Sequence, residues 1–334
     1  MREFCGSCRF VVADLRRRSA NSEPGGACGV SLENVGARVD IGGFDRPGTD
    51  NMNKNQAGPA PGAFVEHVDF SAVEPVSKTI WPGIRYDYVS PGLKRPDLVA
   101  AFPDLVARDP APLQWPYLRK DAPHIWRSDA RSWRNRDIGV LSVDEAVVLY
   151  SNAAPMRGAR GLEIGCHYGW STAHLVAAGL NLDVVDPGLG YPDQARDVAE
   201  SLARVGGPGH AKLWAGFSPS IVPAVRSTQG EPWSFAFIDG YHEGRAPLDD
   251  AEAVIGLMAE DASVMFHDLI SPHVAAGLAH FQANGWNVGL YNTMQIMGIA
   301  WRGAAPPAPH IADVNMPPIA AEHLRGFAVL SLPS

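Results

Sequence analysis

Cysteine is scarce, with four residues in 334. That is too few for a disulfide framework in a chain of this length, so a reduced, cytoplasmic setting is expected. Cys5 and Cys8 form a C-x-x-C and Cys28 is a distant third. No nearby histidine supplies the fourth ligand that a zinc site needs. Long apolar runs are also missing. None reaches the roughly 20 residues of a membrane span. The N-terminal apolar stretch 10–15 is short and interrupted by Asp14, so it does not read as a secretory signal. Basic charge is in deficit: 28 Lys and Arg stand against 36 Asp and Glu, a net charge of −8. With no long basic run beyond the extreme N-terminus, nucleic acid is not the expected partner. A dinucleotide G-x-G-x-x-G is absent as well, because His167 stands where its second glycine would fall.

What is present divides the chain into four. Residues 1–62 are dominated by Gly, Pro, Asn, Ser and Asp and read as a disordered tail. Residues 63–140 interleave aromatics (Trp81, Tyr86, Tyr88, Trp115, Tyr117, Trp126, Trp133) with arginines and prolines, without a clean period. They read as an extension stapled onto the main domain or as a lid. Residues 141–303 form the main domain, and 304–334 a Pro/Ala-rich tail that turns apolar again near 327–332. The domain opens with a helix over 141–154, where Ser142 and Glu145 make a capping box. Apolar runs at 161–164, 182–185, 211–214, 235–238 and 263–266 then alternate with helical segments at 171–178, 192–205, 219–226, 245–258 and 272–284. This alternation predicts an α/β fold: a doubly wound, Rossmann-like parallel sheet with helices on both faces. Runs 286–290 and 295–301 leave no room for a helix between them and predict an antiparallel C-terminal hairpin.

Polar residues gather where these strands end, which in an open parallel sheet is the ligand crevice. The first strand runs into Glu163 and the turn Gly165, Cys166, His167, Tyr168, Gly169, with Ser171 opening the next helix. Such a turn brings backbone N–H groups and a helix N-terminus to a ligand. Asp186 ends the second strand and can accept from ribose hydroxyls or cap the turn before Pro187. Phe217 and Ser218 end the third; Phe217 can pack on an adenine face, and Ser218 can bond its edge or cap a helix. The fourth ends in Asp239, Gly240, Tyr241, His242 and the fifth in His267, Asp268. Two carboxylates and two histidines on neighbouring strand ends make a candidate divalent-cation site at Asp239, His267 and Asp268. Asp249 and Asp250 read as surface or capping charges, with one of them able to orient His242.

The ordered series E-I-G-x-x-x-G-x-S-T, V-V-D-P, G-F-S, F-I-D-G-Y-H and F-H-D resembles class I S-adenosylmethionine-dependent methyltransferases. Within them it is most similar to the group of macrocin- and mycinamicin-type O-methyltransferases and cephalosporin-hydroxylase-like proteins. The resemblance spans about residues 142–302. It implies a seven-stranded sheet ending in an antiparallel hairpin, and S-adenosyl-L-methionine as cofactor. Its methionine part would be held at Glu163, Gly165 and the following turn, and its ribose at Asp186. It implies Mg²⁺ or another divalent cation on Asp239 and the His267–Asp268 pair, and His242 as general base. His267, where many relatives carry an acid, shifts the expected metal toward a softer one. The resemblance also implies homo-oligomers.

The expected reaction is methyl transfer to a hydroxyl of a small molecule, a sugar, polyol or natural product. Alignment of oxygen, methyl and sulfur dominates, with Asp239 and His242 as catalytic residues. Tyr241, Trp170 and the upstream tryptophans would wall the acceptor pocket. Competing readings are a metal-independent methyltransferase, a nicotinamide oxidoreductase, and a non-catalytic module of the same fold.

Overall fold

The structure, a computed structural model, describes residues 88–94, 96–102, 105–107, 125–127, 137–139, 141–206, 209–228, 230–303 and 306–333. The expected tail 1–62, with Cys5, Cys8 and Cys28, and most of 63–140 lie outside the described residues. Three short strands, β1 (Leu105–Ala107), β2 (Ile125–Arg127) and β3 (Asp137–Gly139), pair antiparallel in that order.

The main domain follows the expected alternation. Helix α1 (Val143–Ala153) begins at the Ser142 capping box. Then come β4 (Arg160–Ile164), α2 (Trp170–Ala178), β5 (Asn181–Asp186) and α3 (Pro192–Val205). Next are β6 (His210–Ala215), α4 (Val222–Ser227), β7 (Trp233–Ile238), α5 (Ala246–Ile255) and β8 (Met258–Phe266). Helix α6 (Pro272–Ala283) and the strands β9 (Asn287–Tyr291) and β10 (Met297–Arg302) close the alternation. Beyond them lie β11 (His310–Ile311), β12 (Ala328–Val329) and β13 (Ser331–Leu332).

The main sheet has eight strands in the order β12-β9-β10-β8-β7-β4-β5-β6. Strands β4 to β8 are mutually parallel; β10 runs antiparallel to both β8 and β9. The expected hairpin is therefore present, with one strand more than seven because β12 adds to β9 in parallel. Strand order reverses at β4, which has β5 on one side and β7 on the other. That is the switch point where open α/β sheets bind ligands.

Two apolar layers sandwich the sheet. Leu149, Leu175, Leu202, Phe235 and Phe237 pack with α1–α3 on one face. Leu162, Ile164, Val225, Val254 and Leu278 pack with α4–α6 on the other. The two-residue period of β4 decides the site. With Leu162 and Ile164 turned to the α4–α6 face, Glu163 must turn to the α2 side.

Candidate active site

Two glycines shape the turn after β4. Gly165 sits at φ +86, and a Cβ there would lie 2.2 Å from the Asp239 carbonyl oxygen. Gly169 caps α2 in the left-handed region, at φ 87. The β4 and β7 strand ends are thereby pressed together, backbone on backbone. His167 (φ 48) and Asp268 (φ 58) are two of the three described non-glycine residues with positive φ. Left-handed backbone at such residues is held only by surrounding structure and clusters at functional sites.

Glu163 is fully buried. Its Oε1 accepts from the Ser171 hydroxyl at 2.5 Å, while Oε2 has no hydrogen-bond partner. Burial pushes its carboxyl up to about 8, against the pull of the Ser171 bond; the Asp239 and Asp186 charges add to the rise. A buried, unpartnered acceptor beside a glycine turn is suited to a cationic ligand group. Cys166 and Tyr168 are buried beneath the turn, whereas His167 is exposed. Burial first, then the Asp186 and Glu163 charges, raises the Cys166 thiol well above its usual range.

Asp186 both holds the turn and faces the crevice. Its Oδ2 accepts from the Cys166 and His167 N–H groups, each at 2.9 Å, and Oδ1 from Gly188 N–H at 2.6 Å. A carboxylate has about four acceptor positions, so room is left for a single ligand hydroxyl rather than two. Phe217, at 59% exposure, stands free at the end of β6. The Ser218 hydroxyl instead donates to Asp250. Asp250 is buried, not a surface charge as expected; burial moves its carboxyl up to about 6, with Ser218 opposing. Asp249 pairs with Arg245 at 2.6 Å. Trp170 does not wall a pocket: it is buried edge-on against Phe102 and His174.

At the ends of β7 and β8 the four expected residues meet. His242 Nε2 lies 3.1 Å from Asp239 Oδ1 and 3.3 Å from Asp268 Oδ2. His267, buried behind them, brings Nδ1 to 3.4 Å from Asp239 Oδ1 and 3.2 Å from Asp268 Oδ2. Its Nε2 lies 3.4 Å from Glu145 Oε2 on α1. Burial alone would lower both imidazoles. For His267 the Asp268, Asp239 and Glu145 charges outweigh it and hold the ring well above 6.5. For His242 the Asp239 hydrogen bond and the Asp268 charge do so. Burial would raise Asp239, yet the His267 charge and the His242 bond bring it down to about 2.

Asp239, His242 and Asp268 each present one ligand atom, all within 4.8 Å of one another. Oxygen and imidazole donors at this spacing fit a divalent cation. His267 lies outside that convergent trio, although its ring nitrogens are buried without hydrogen-bond partners. Glu145 is the residue that sequence reasoning assigned only to a helix cap. Tyr191, at 39% exposure, and Tyr241, at 66%, join Phe217 as exposed aromatics; they follow β5, β7 and β6.

Residues 162–269 match the family model of a methyltransferase domain. No curated protein sequence matches the chain. Among solved structures, the chain is similar to the O-methyltransferase TomG of Streptomyces achromogenes, involved in tomaymycin synthesis and solved with S-adenosylmethionine. Identity there is 16% over 52% of this chain and 86% of that one, with a TM-score of 0.41. An O-methyltransferase of Bacillus cereus in complex with S-adenosylhomocysteine is 14% identical over 49% and 84%, with a TM-score of 0.39. The S-adenosylhomocysteine-bound methyltransferase PaMTH1 of Podospora anserina is 16% identical over 49% and 80%, with a TM-score of 0.38. No described helix is long and apolar enough to cross a membrane.

Proposed function

We propose that this chain is an S-adenosylmethionine-dependent O-methyltransferase acting on a hydroxyl of a small molecule. The observation that carries the reading is the adjacency of two half-sites at the β4/β7 switch point. One is the turn with Glu163 and Asp186, suited to the cofactor; the other is the Asp239–His242–Asp268 cluster, suited to the acceptor. Gly165 packed on the Asp239 carbonyl brings the two together.

Glu163 Oε2 would hold the amino group of the cofactor, Asp186 one ribose hydroxyl and Phe217 the adenine face. S-adenosylmethionine, when bound, would supply an activated methyl group to the acceptor oxygen, whose proton must then leave. His242 takes it. Carboxylates only accept, so the Nε2 facing Asp239 and Asp268 carries a hydrogen. Nδ1 is then the basic nitrogen, once the ring has lost its second proton. Because the His242 pKa is raised, turnover should climb as pH rises above 6.5. Asp239 and Asp268 would hold a divalent cation, which would supply Lewis acidity that lowers the acceptor pKa. The exposed Tyr241 ring, next to His242, supports a sugar or other natural-product acceptor that stacks on an aromatic face.

Calorimetric titration with S-adenosylmethionine, S-adenosylhomocysteine and NAD⁺ tests the reading. Binding of the first two alone is expected, and His242→Ala should keep that binding while losing methyl transfer in an acceptor screen. Binding of NAD⁺ instead would reinstate an oxidoreductase; binding of none would remove the cofactor assignment.

A further inference from the structure

Glu145 makes more contacts than a helix cap requires. As the third residue of α1 it accepts the Ser142 N–H on Oε2 at 2.8 Å, while its own N–H donates to the Ser142 hydroxyl at 3.2 Å. That completes the capping box, which normally forms at a solvated helix end. Here Glu145 is 0% exposed. Its Oε1 accepts Gln295 N–H at 2.6 Å, from the loop joining β9 and β10. Oε2 also faces His267 Nε2 at 3.4 Å.

Magnitudes separate the roles. A cap is worth about 1 kcal/mol, whereas removing a carboxylate from water costs several kcal/mol. A neutral glutamine would cap at far lower desolvation cost. The charge is accounted for by the imidazole, which has no hydrogen-bond partner at either ring nitrogen and is flanked by carboxylates at both.

We infer that Glu145 is a positioning residue for the reacting centre: it holds the His267 ring so that Nδ1 faces Asp239 and Asp268. The contact joins the start of α1 to the ends of β7 and β8. It follows the common arrangement in which an outer carboxylate fixes the orientation of a site histidine through its second nitrogen. Two neighbouring backbone features brace it. Gln295 is tied to Glu145, and the next residue, Ile296, sits at φ 59 while its carbonyl accepts from Leu269, just past Asp268. The inference rests on the strand-end cluster being the site proposed above.

The test is a long-range ¹H–¹⁵N correlation spectrum of the imidazoles in the full chain, with His267 assigned by the signals lost in His267→Gln. Glu145→Gln should shift or erase the His267 ring signals. Ser142→Ala, which breaks the other half of the capping box, should lower Tm and leave them in place. Glu145→Asp keeps the charge while drawing it back by one methylene, and should shift the same signals by less; it serves where Glu145→Gln does not fold. Unchanged His267 signals in Glu145→Gln, or in Glu145→Asp if only that variant folds, would overturn the inference. So would an equal change in Ser142→Ala. S-adenosylhomocysteine affinity, measured alongside, reports separately on the proposed function: its absence in the parent protein sinks that reading without altering what the His267 signals say about the contact.

Discussion

Glu163 stands between two apolar neighbours on β4 with one oxygen bonded and the other orphaned. Its carboxyl moves from the usual 4.5 up to about 8 on folding. Between those values the unfolded chain has released a proton that the folded chain keeps. The native state then binds more protons, so stability is whole below about pH 4.5 and is lost as pH rises through about 8. Glu163→Gln removes that dependence. Thermal melts without cofactor should show the variant gaining on the parent as pH rises through this window, by up to about 5 kcal/mol at its upper end. Parallel melting curves across the window would show that Glu163 ionises normally in the folded chain. At this scale the sequence was informative where chemistry coincides with a strand end. The meeting of Asp239, His242, His267 and Asp268 at two strand ends was legible in I-D-G-Y-H and F-H-D. Glu145 was not, because its partners are Gln295 and His267, distant in sequence, and a capping box explained it locally. Asp250 was misread for the same reason: in the chain it looks like one of a charged pair on a helix, and only the fold turns it inward to Ser218.

Elements were legible because each has a local cause. The left-handed glycine at Gly179 ends α2, and Pro192 and Pro272 start α3 and α6. What held β4 to β5 was invisible, since it depends on register. Arg160 opens β4, and its guanidinium pairs with Asp183 in the middle of β5. The same carboxylate accepts the indole N–H of Trp214 at 3.1 Å and of Trp233 at 2.9 Å. A buried acid on a strand read only as apolar thus ties three strands besides its own, β4, β6 and β7. Asp183→Ala leaves a guanidinium and two buried indole donors without their acceptor. Loss of one partner from a buried ion pair costs about 3–5 kcal/mol, so Tm should fall by on the order of 10 °C. A fall of only a degree or two would mean that water or backbone carbonyls replace the carboxylate.

On the scale of the whole molecule, the last 28 described residues close what the alternating units leave open. The C-terminal tail, read as Pro/Ala-rich and then briefly apolar, adds β12 to the edge of the main sheet and pairs β13 with β11. Leu330 N–H donates to the Leu290 carbonyl at 2.8 Å, and its side chain fills the space where Gly289 has no Cβ. Ser331 accepts Asn292 N–H at 2.7 Å and pairs with His310, whose other ring nitrogen lies 2.8 Å from Asp144 on α1. Tyr88 and Ser90, upstream of the domain, bond to Ile311 from the other side. The His310–Asp144 pair joins residues 166 apart in the chain and ties this segment to the helix that carries Glu145, which no local pattern encodes. An unprotected strand edge is a template for pairing with another chain. Leu330→Pro removes the N–H given to Leu290 while keeping an apolar side chain, so β12 should detach and leave β9 as the new edge. The expected outcome is a variant less stable by about 1–3 kcal/mol that elutes earlier than the parent in size-exclusion chromatography, increasingly so with concentration. Leu330→Ala, which retains the N–H, should elute with the parent. If both variants elute as the parent does, the β9 edge is guarded by something other than this tail.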